Sequence, residues 1–151
     1  MANVSVGQEA PDFTLKNEKN QDVTLSTLRG APVVLVFYPL DISPFCTNEM
    51  CAYRDDFSLF EGKGAHIFGI SRDSTWTHKA FKEKEGLQHS LLADMKGDVA
   101  KLYGCWNEAI GIAERLTVVI DKDGRITYVE HNGPAQIRDQ KQALAALAQP
   151  A

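Results

Sequence analysis

A chain of 151 residues, 44% of them hydrophobic, with no Pro- or Ser-rich linker and no internal repeat, has ample length for one core, and a single domain over residues 1–151 is expected. The net charge of −4 leaves no basic patch, which argues against a nucleic-acid partner, and no apolar run is long enough to cross a membrane. No basic stretch followed by an apolar one opens the chain, so the expected compartment is the cytoplasm, where an odd count of three cysteines suits reactive thiols better than a disulfide framework.

In chain order, residues 13–15 and 23–25 flank the turn-rich NEKNQD and predict an N-terminal β-hairpin. Residues 33–38 run from Val33 to Tyr38 without a polar interruption, short and β-branched, the pattern of a strand buried on both faces. Pro39 stops it. The residue before a proline is pushed out of the α region, so Ser43 ahead of Pro44 reads as a helix N-cap with proline at the first helical position. Cys46, Met50, Tyr53, Phe57 and Phe60 then recur at helical spacing and mark the buried stripe. Cys51 shares the other, solvated face with Thr47, Arg54, Asp55 and Ser58. Residues 65–71 form a second buried strand, 75–84 a helix and 98–103 a short helical turn. Residues 116–120 and 125–130 alternate around DKDG, a hairpin signal, and 134–147 closes as a helix. Strands alternating with helices, followed by a late antiparallel hairpin, define an α/β fold with a mixed sheet.

Cys46 falls in the first turn of its helix, just beyond the C-terminal end of a central strand, where open α/β sheets place their chemistry. Unpaired N–H groups and the positive end of the helix dipole favour thiolate there. Two readings stand side by side: a small buried hydrophobe on an apolar stripe, and a reactive thiol. Metal binding is weaker, since Cys105 lies far along the chain and His66, His78, His89 and His131 are scattered singly. Four residues separate Cys46 from Cys51, not the two of a thioredoxin-type pair. On an ideal helix their Cα atoms are roughly 8 to 9 Å apart. A disulfide needs about 4.4 to 6.8 Å, so bonding the two requires the helix to unwind first.

The stretch from Pro39 to Cys46, PLDISPFC, resembles the peroxiredoxin signature Pro-x-x-x-Thr/Ser-x-x-Cys. VGQEAPDFTL, GISRDS leading through His78 and Phe81 to LLAD, and GIAERLTVVIDKDG are similar to peroxiredoxin segments in order and spacing. CTNEMC resembles the bacterioferritin-comigratory or Q-type branch, and NEAIGIAER the alkyl-hydroperoxide-reductase E branch. The resemblance implies a thioredoxin-like fold, its central mixed sheet flanked by helices, and a peroxidase acting on hydrogen peroxide and organic hydroperoxides without metal or organic cofactor. It makes Cys46 the peroxidatic cysteine and Cys51 the resolving one. Arg115 would hold the thiolate and polarise the peroxide, Ser43 would hydrogen-bond the reacting oxygens, Pro39 would exclude water and Glu49 would orient an arginine. Ser43 cannot fully serve both a helix cap and the peroxide. Thioredoxin is the implied reductant, and a monomer or weak homodimer the implied state. A one-cysteine peroxidase recycled by another thiol, and a non-enzymatic redox sensor or chaperone, remain open. Among the departures from the family pattern, His89 is expected at the surface and Cys105 as a buried small residue, its alternative being a part in resolution. Trp76 and Trp106 are expected to pack.

Overall fold

The computed structural model describes residues 3–133, 136 and 138–147. Its elements in chain order are β1 (Thr14–Asn17), β2 (Asp22–Thr24), a 3₁₀ turn (Leu25–Leu28), β3 (Val33–Phe37), α1 (Pro44–Asp55), α2 (Phe57–Glu61), β4 (His66–Ser71) and α3 (Thr75–Glu85). They continue with β5 (Ser90–Ala93), α4 (Asp98–Tyr103), β6 (Trp106–Asn107), β7 (Ile112–Ala113), β8 (Arg115–Ile120), β9 (Ile126–Asn132) and α5 (Gln140–Ala146). Seven strands form one mixed sheet in the order β2-β1-β5-β4-β3-β8-β9, while β6 and β7 pair apart. β3 runs parallel to β4 and antiparallel to β8.

The uninterrupted apolar strands follow from a sheet covered on both sides. Leu35, Phe37, Phe68, Ile70, Leu116 and Val118 face one core, which Val99, Ala100 and Tyr103 of α4 close. Val34, Val36, Leu91 and Val119 face the other, covered by Cys46, Met50 and Tyr53 of α1, Phe60 of α2, Phe81 of α3 and Ala143 of α5. Each Val, Leu, Ile, Phe or Met among them contributes about 1.5 to 3 kcal/mol on removal from water. Gly69 on β4 lets α1 sit close to the sheet, because a Cβ there would lie 2.8 Å from Leu91 Cδ2 and 3.2 Å from Met50 Sδ. Val36 pairs with Thr117, and this antiparallel register carries Arg115 to the strand end that Tyr38 and Pro39 leave.

Several expectations need correction. The N-terminal hairpin is present, but its strands are 14–17 and 22–24. β5 was not foreseen: it has four residues, too few to show a period. The stripe from Cys46 to Phe60 spans two helices, broken at Asp56, whose carboxylate accepts from Gln140 Nε2 at 2.8 Å. The final helix begins at Gln140 rather than 134, capped by Asp139, because Arg138 is held in a buried ion pair ahead of it. Pro134 lies outside the described residues. Trp76 does not pack: it is 82% exposed. Trp106 packs against the core beneath Lys101 and over Gly97. His89 is buried, not at the surface. Cys105 is buried, and burial pushes its thiol far above the ordinary range.

Candidate active site

Cys46 is the third residue of α1, after Pro44 and Phe45, and its side chain is fully buried. Arg115 Nη1, from the start of β8, donates to Cys46 Sγ at 3.3 Å and to Glu49 Oε1 at 2.5 Å. Glu49, one turn after Cys46, is flanked by a second arginine. Its Oε2 accepts from the backbone N–H and Nε of Arg138 at 2.8 and 2.9 Å, and its Oε1 from Arg138 Nη2 at 3.0 Å. Arg138 Nη1 also donates to Thr117 Oγ1. Burial alone would push the Glu49 carboxyl up, but hydrogen bonds from Arg138 and the charges of both arginines outweigh it and hold the group below its usual range. Two guanidiniums thus face one carboxylate and one sulfur. The four groups sum to zero charge only when the sulfur is a thiolate.

Ser43 occupies the N-cap position, yet its hydroxyl caps nothing; it donates to the Leu40 carbonyl at 2.9 Å. The helix cap therefore makes no claim on the Ser43 hydroxyl. Pro39 is buried at the end of β3, between buried Tyr38 and exposed Leu40. Ile42 has φ of 71°, a left-handed conformation costly for a β-branched residue, directly before the cap. A buried polar cluster fixes this loop from beneath. Tyr38 Oη donates to the Asp41 carboxylate, whose Oδ2 lies 2.6 Å from His78 Nδ1. The other ring nitrogen lies 2.9 Å from the Leu92 carbonyl. The Asp41 N–H donates to Asp73 Oδ2, which also accepts from Ser71 Oγ.

Cys51 is half-buried rather than solvated. Its thiol donates to Glu85 Oε1 at 3.5 Å across to α3. No disulfide is present: Cys46, Cys51 and Cys105 are all thiols. The structure therefore brings Cys46, Glu49 and Arg115 together, sets Ser43 and Pro39 in the loop that leads to them, and leaves Cys51 on another face of α1. Sequence reasoning missed Arg138, which no local pattern marks, and the Asp41–His78 pair, both members of which sit in the quoted family segments. A groove of about 660 Å³ between Lys19 and Trp76 holds none of these residues. Among the described residues no cluster of three or more His, Cys, Asp or Glu could hold a metal ion.

A buried thiol in the first turn of a helix, beneath a guanidinium and at the end of a central strand, defines a thioredoxin-fold cysteine centre. Residues 6–129 match the AhpC/TSA family, and the chain belongs to that family, the peroxiredoxins. It is 41% identical over 133 residues to the chloroplastic peroxiredoxin Q of Suaeda salsa, an alignment covering 87% of this chain and 62% of that protein. The chain thus spans under two thirds of that relative's length. It is also 41% identical over 150 residues to alkyl hydroperoxide reductase E of Mycobacterium bovis, covering 95% of this chain and 98% of that one. The crystal structure of peroxidoxin BcpB from Mycobacterium tuberculosis matches with a TM-score of 0.84 and 33% identity, covering 94% and 95% of the two chains. Among the described residues no helix is long and apolar enough to cross a membrane.

Proposed function

We propose that the chain is a thiol-dependent peroxidase for hydrogen peroxide and small organic hydroperoxides. The contact of Arg115 Nη1 with Cys46 Sγ in the first turn of α1 carries this reading. In the proposed reaction the Cys46 thiolate attacks one peroxide oxygen, the O–O bond breaks, and Cys46 is left as a sulfenic acid while the other oxygen leaves as hydroxide or alkoxide and takes up the proton that the thiol gave to solvent, becoming water or alcohol. A more acidic thiolate is also a weaker nucleophile, so ionisation alone does not make a fast enzyme. The larger contribution comes from donors aimed at the leaving oxygen: Arg115 and the N–H groups of the helix start. Ser43, its own proton turned to Leu40, accepts a hydrogen bond from the peroxide O–H. Buried Pro39 keeps water out, and Glu49, between Arg115 and Arg138, fixes the guanidinium that meets the substrate. The thiolate supplies the electrons, so the cycle uses no metal or organic cofactor.

Cys51 then resolves the sulfenic acid, and an external thiol system, thioredoxin by preference, reduces the disulfide in the cytoplasm. The helical position of Cys51 requires α1 to unwind locally. Similarity to alkyl hydroperoxide reductase E favours a second reading, in which Cys51 is a bystander and another thiol recycles Cys46. Mass analysis and peptide mapping of reduced protein after one equivalent of hydrogen peroxide decide between them. Loss of two hydrogens mapped to a Cys46–Cys51 link establishes the two-cysteine cycle; added oxygen on Cys46 with Cys51 unmodified establishes the other. An unmodified Cys46 overturns the peroxidase reading.

A further inference from the structure

The resting structure holds Cys51 on a different face of α1 from Cys46, with surroundings of its own. Its half-buried thiol donates to the Glu85 carboxylate, and Glu85 is the last residue of α3. The position of Glu85 is itself fixed: Arg54 Nη1, one turn along α1 from Cys51, donates to the Glu85 carbonyl at 2.7 Å, and Gly86, at φ of 65°, ends α3 immediately afterwards. The charged groups that face Cys51 are Glu85 from α3 and Arg54 and Asp55 from α1. Arg54, held on the Asp55 carboxylate at 3.0 Å and on the Glu85 carbonyl, draws the thiol down, but burial and the Glu85 hydrogen bond each outweigh it.

A carboxylate only accepts hydrogen bonds, so the Cys51–Glu85 contact exists for the thiol and becomes like-charge repulsion for the thiolate. We infer that Glu85 quenches Cys51 while α1 is helical, so that unwinding of α1 both delivers Cys51 to Cys46 and restores its nucleophilicity. Burial, and after it the hydrogen bond and charge of Glu85, push the thiol up from its ordinary range. The inference rests on the two-cysteine reading. In the resolving step the Cys51 sulfur displaces hydroxide from the Cys46 sulfenic acid, the S–O bond breaks as the S–S bond forms, and the Cys51 proton leaves with hydroxide as water. A thiolate is the attacking species, and Glu85 stays behind on α3 when α1 opens. Until then Cys51 is shielded from peroxide and from stray thiol exchange, which both need the thiolate.

The test uses reduced Cys46→Ser protein, in which alkylation by iodoacetamide at Cys51 is followed by mass across neutral to alkaline pH, with and without Glu85→Gln. The amide removes the charge but keeps an acceptor for the thiol. With Glu85→Gln, alkylation at neutral pH rises by about three- to tenfold and its midpoint moves to lower pH, as expected for a shift of half to one pKa unit. Circular dichroism shows the same helix content in both. An unchanged profile overturns the inference, as does a faster reaction that appears only with loss of helical signal. Glu85→Ala repeats the measurement should the amide itself perturb α3. The parent protein separates the two layers: absence of a Cys46–Cys51 bond after peroxide removes the resolving role of Cys51, whereas an unchanged alkylation profile removes only the role of Glu85.

Discussion

Arg115 meets both Cys46, the proposed nucleophile, and its acidic neighbour through Nη1, at 3.3 Å from Cys46 Sγ and 2.5 Å from Glu49 Oε1. A point charge on a flexible stem does not reproduce that shared, planar arrangement. Arg115→Lys is therefore expected to slow sulfenic acid formation by about 100-fold, the scale of losing one preorganised donor, with folding retained. Stopped-flow measurement of Cys46 oxidation reads this, and a rate within a few-fold of the parent would show that charge alone suffices. Glu49 is the converse case. Its neutral amide, in Glu49→Gln, removes the buried negative charge that Arg115 and Arg138 share, and a loss of about 3 to 5 kcal/mol is expected in urea unfolding. The helix start at Pro44 marked Cys46 in the sequence, whereas Arg115 and Glu49 were singled out only by the peroxiredoxin resemblance. Arg138 was not, because an arginine beyond the last strand carries no local signal, and only the folded chain shows that it meets Glu49.

At the scale of elements, the contact of Cys46 with Arg115 depends on how closely α1 rests on the sheet. Gly69 sets that distance, since an added Cβ meets Leu91 Cδ2 at 2.8 Å, Tyr38 Cε1 at 3.1 Å and Met50 Sδ at 3.2 Å. Gly69→Ala is expected to displace Met50 and the helix that carries Cys46, costing about 1 to 3 kcal/mol as overpacking does and slowing peroxide reduction. Thermal melting and oxidation rate together check it; an unaltered melt would mean that Leu91 and Met50 re-pack without moving α1. The buried strand β3, the start of α1 and the β8–β9 hairpin were readable because hydrophobic runs, Pro44 and DKDG are strong local signals. The break at Asp56 and the late start of α5 were not, because each answers to a tertiary hydrogen bond: Gln140 on Asp56, and Arg138 on Glu49.

Over the whole molecule, two buried groups tie folding to pH in different windows. His89, directly ahead of β5, lies against Met50 and Tyr53, its Nε2 3.4 Å from Met50 Sδ, and its Nδ1 has no partner among the described residues. Burial, with Lys82 adding to it, drops its pKa to about 3 from 6.5, so the folded protein keeps it neutral where the unfolded chain protonates it. The unfolded state then binds the extra proton, and stability falls as pH drops from about 6.5, by about 1.4 kcal/mol for each unit from this one group. Glu49 acts lower down. Its carboxyl is held below the model-peptide value of 4.5, so its contribution is complete above that pH and is lost as the pH falls further. His89→Phe keeps a ring against Tyr53 while removing the titrating nitrogen and the unpartnered Nδ1. Urea unfolding across pH 7 to 5 is expected to show a slope flatter by about 1 kcal/mol per unit on average in the variant, and stability at neutral pH equal to or above the parent. Parallel slopes in the two proteins would mean that His89 takes up its proton in the folded state, with α1 shifting to admit it.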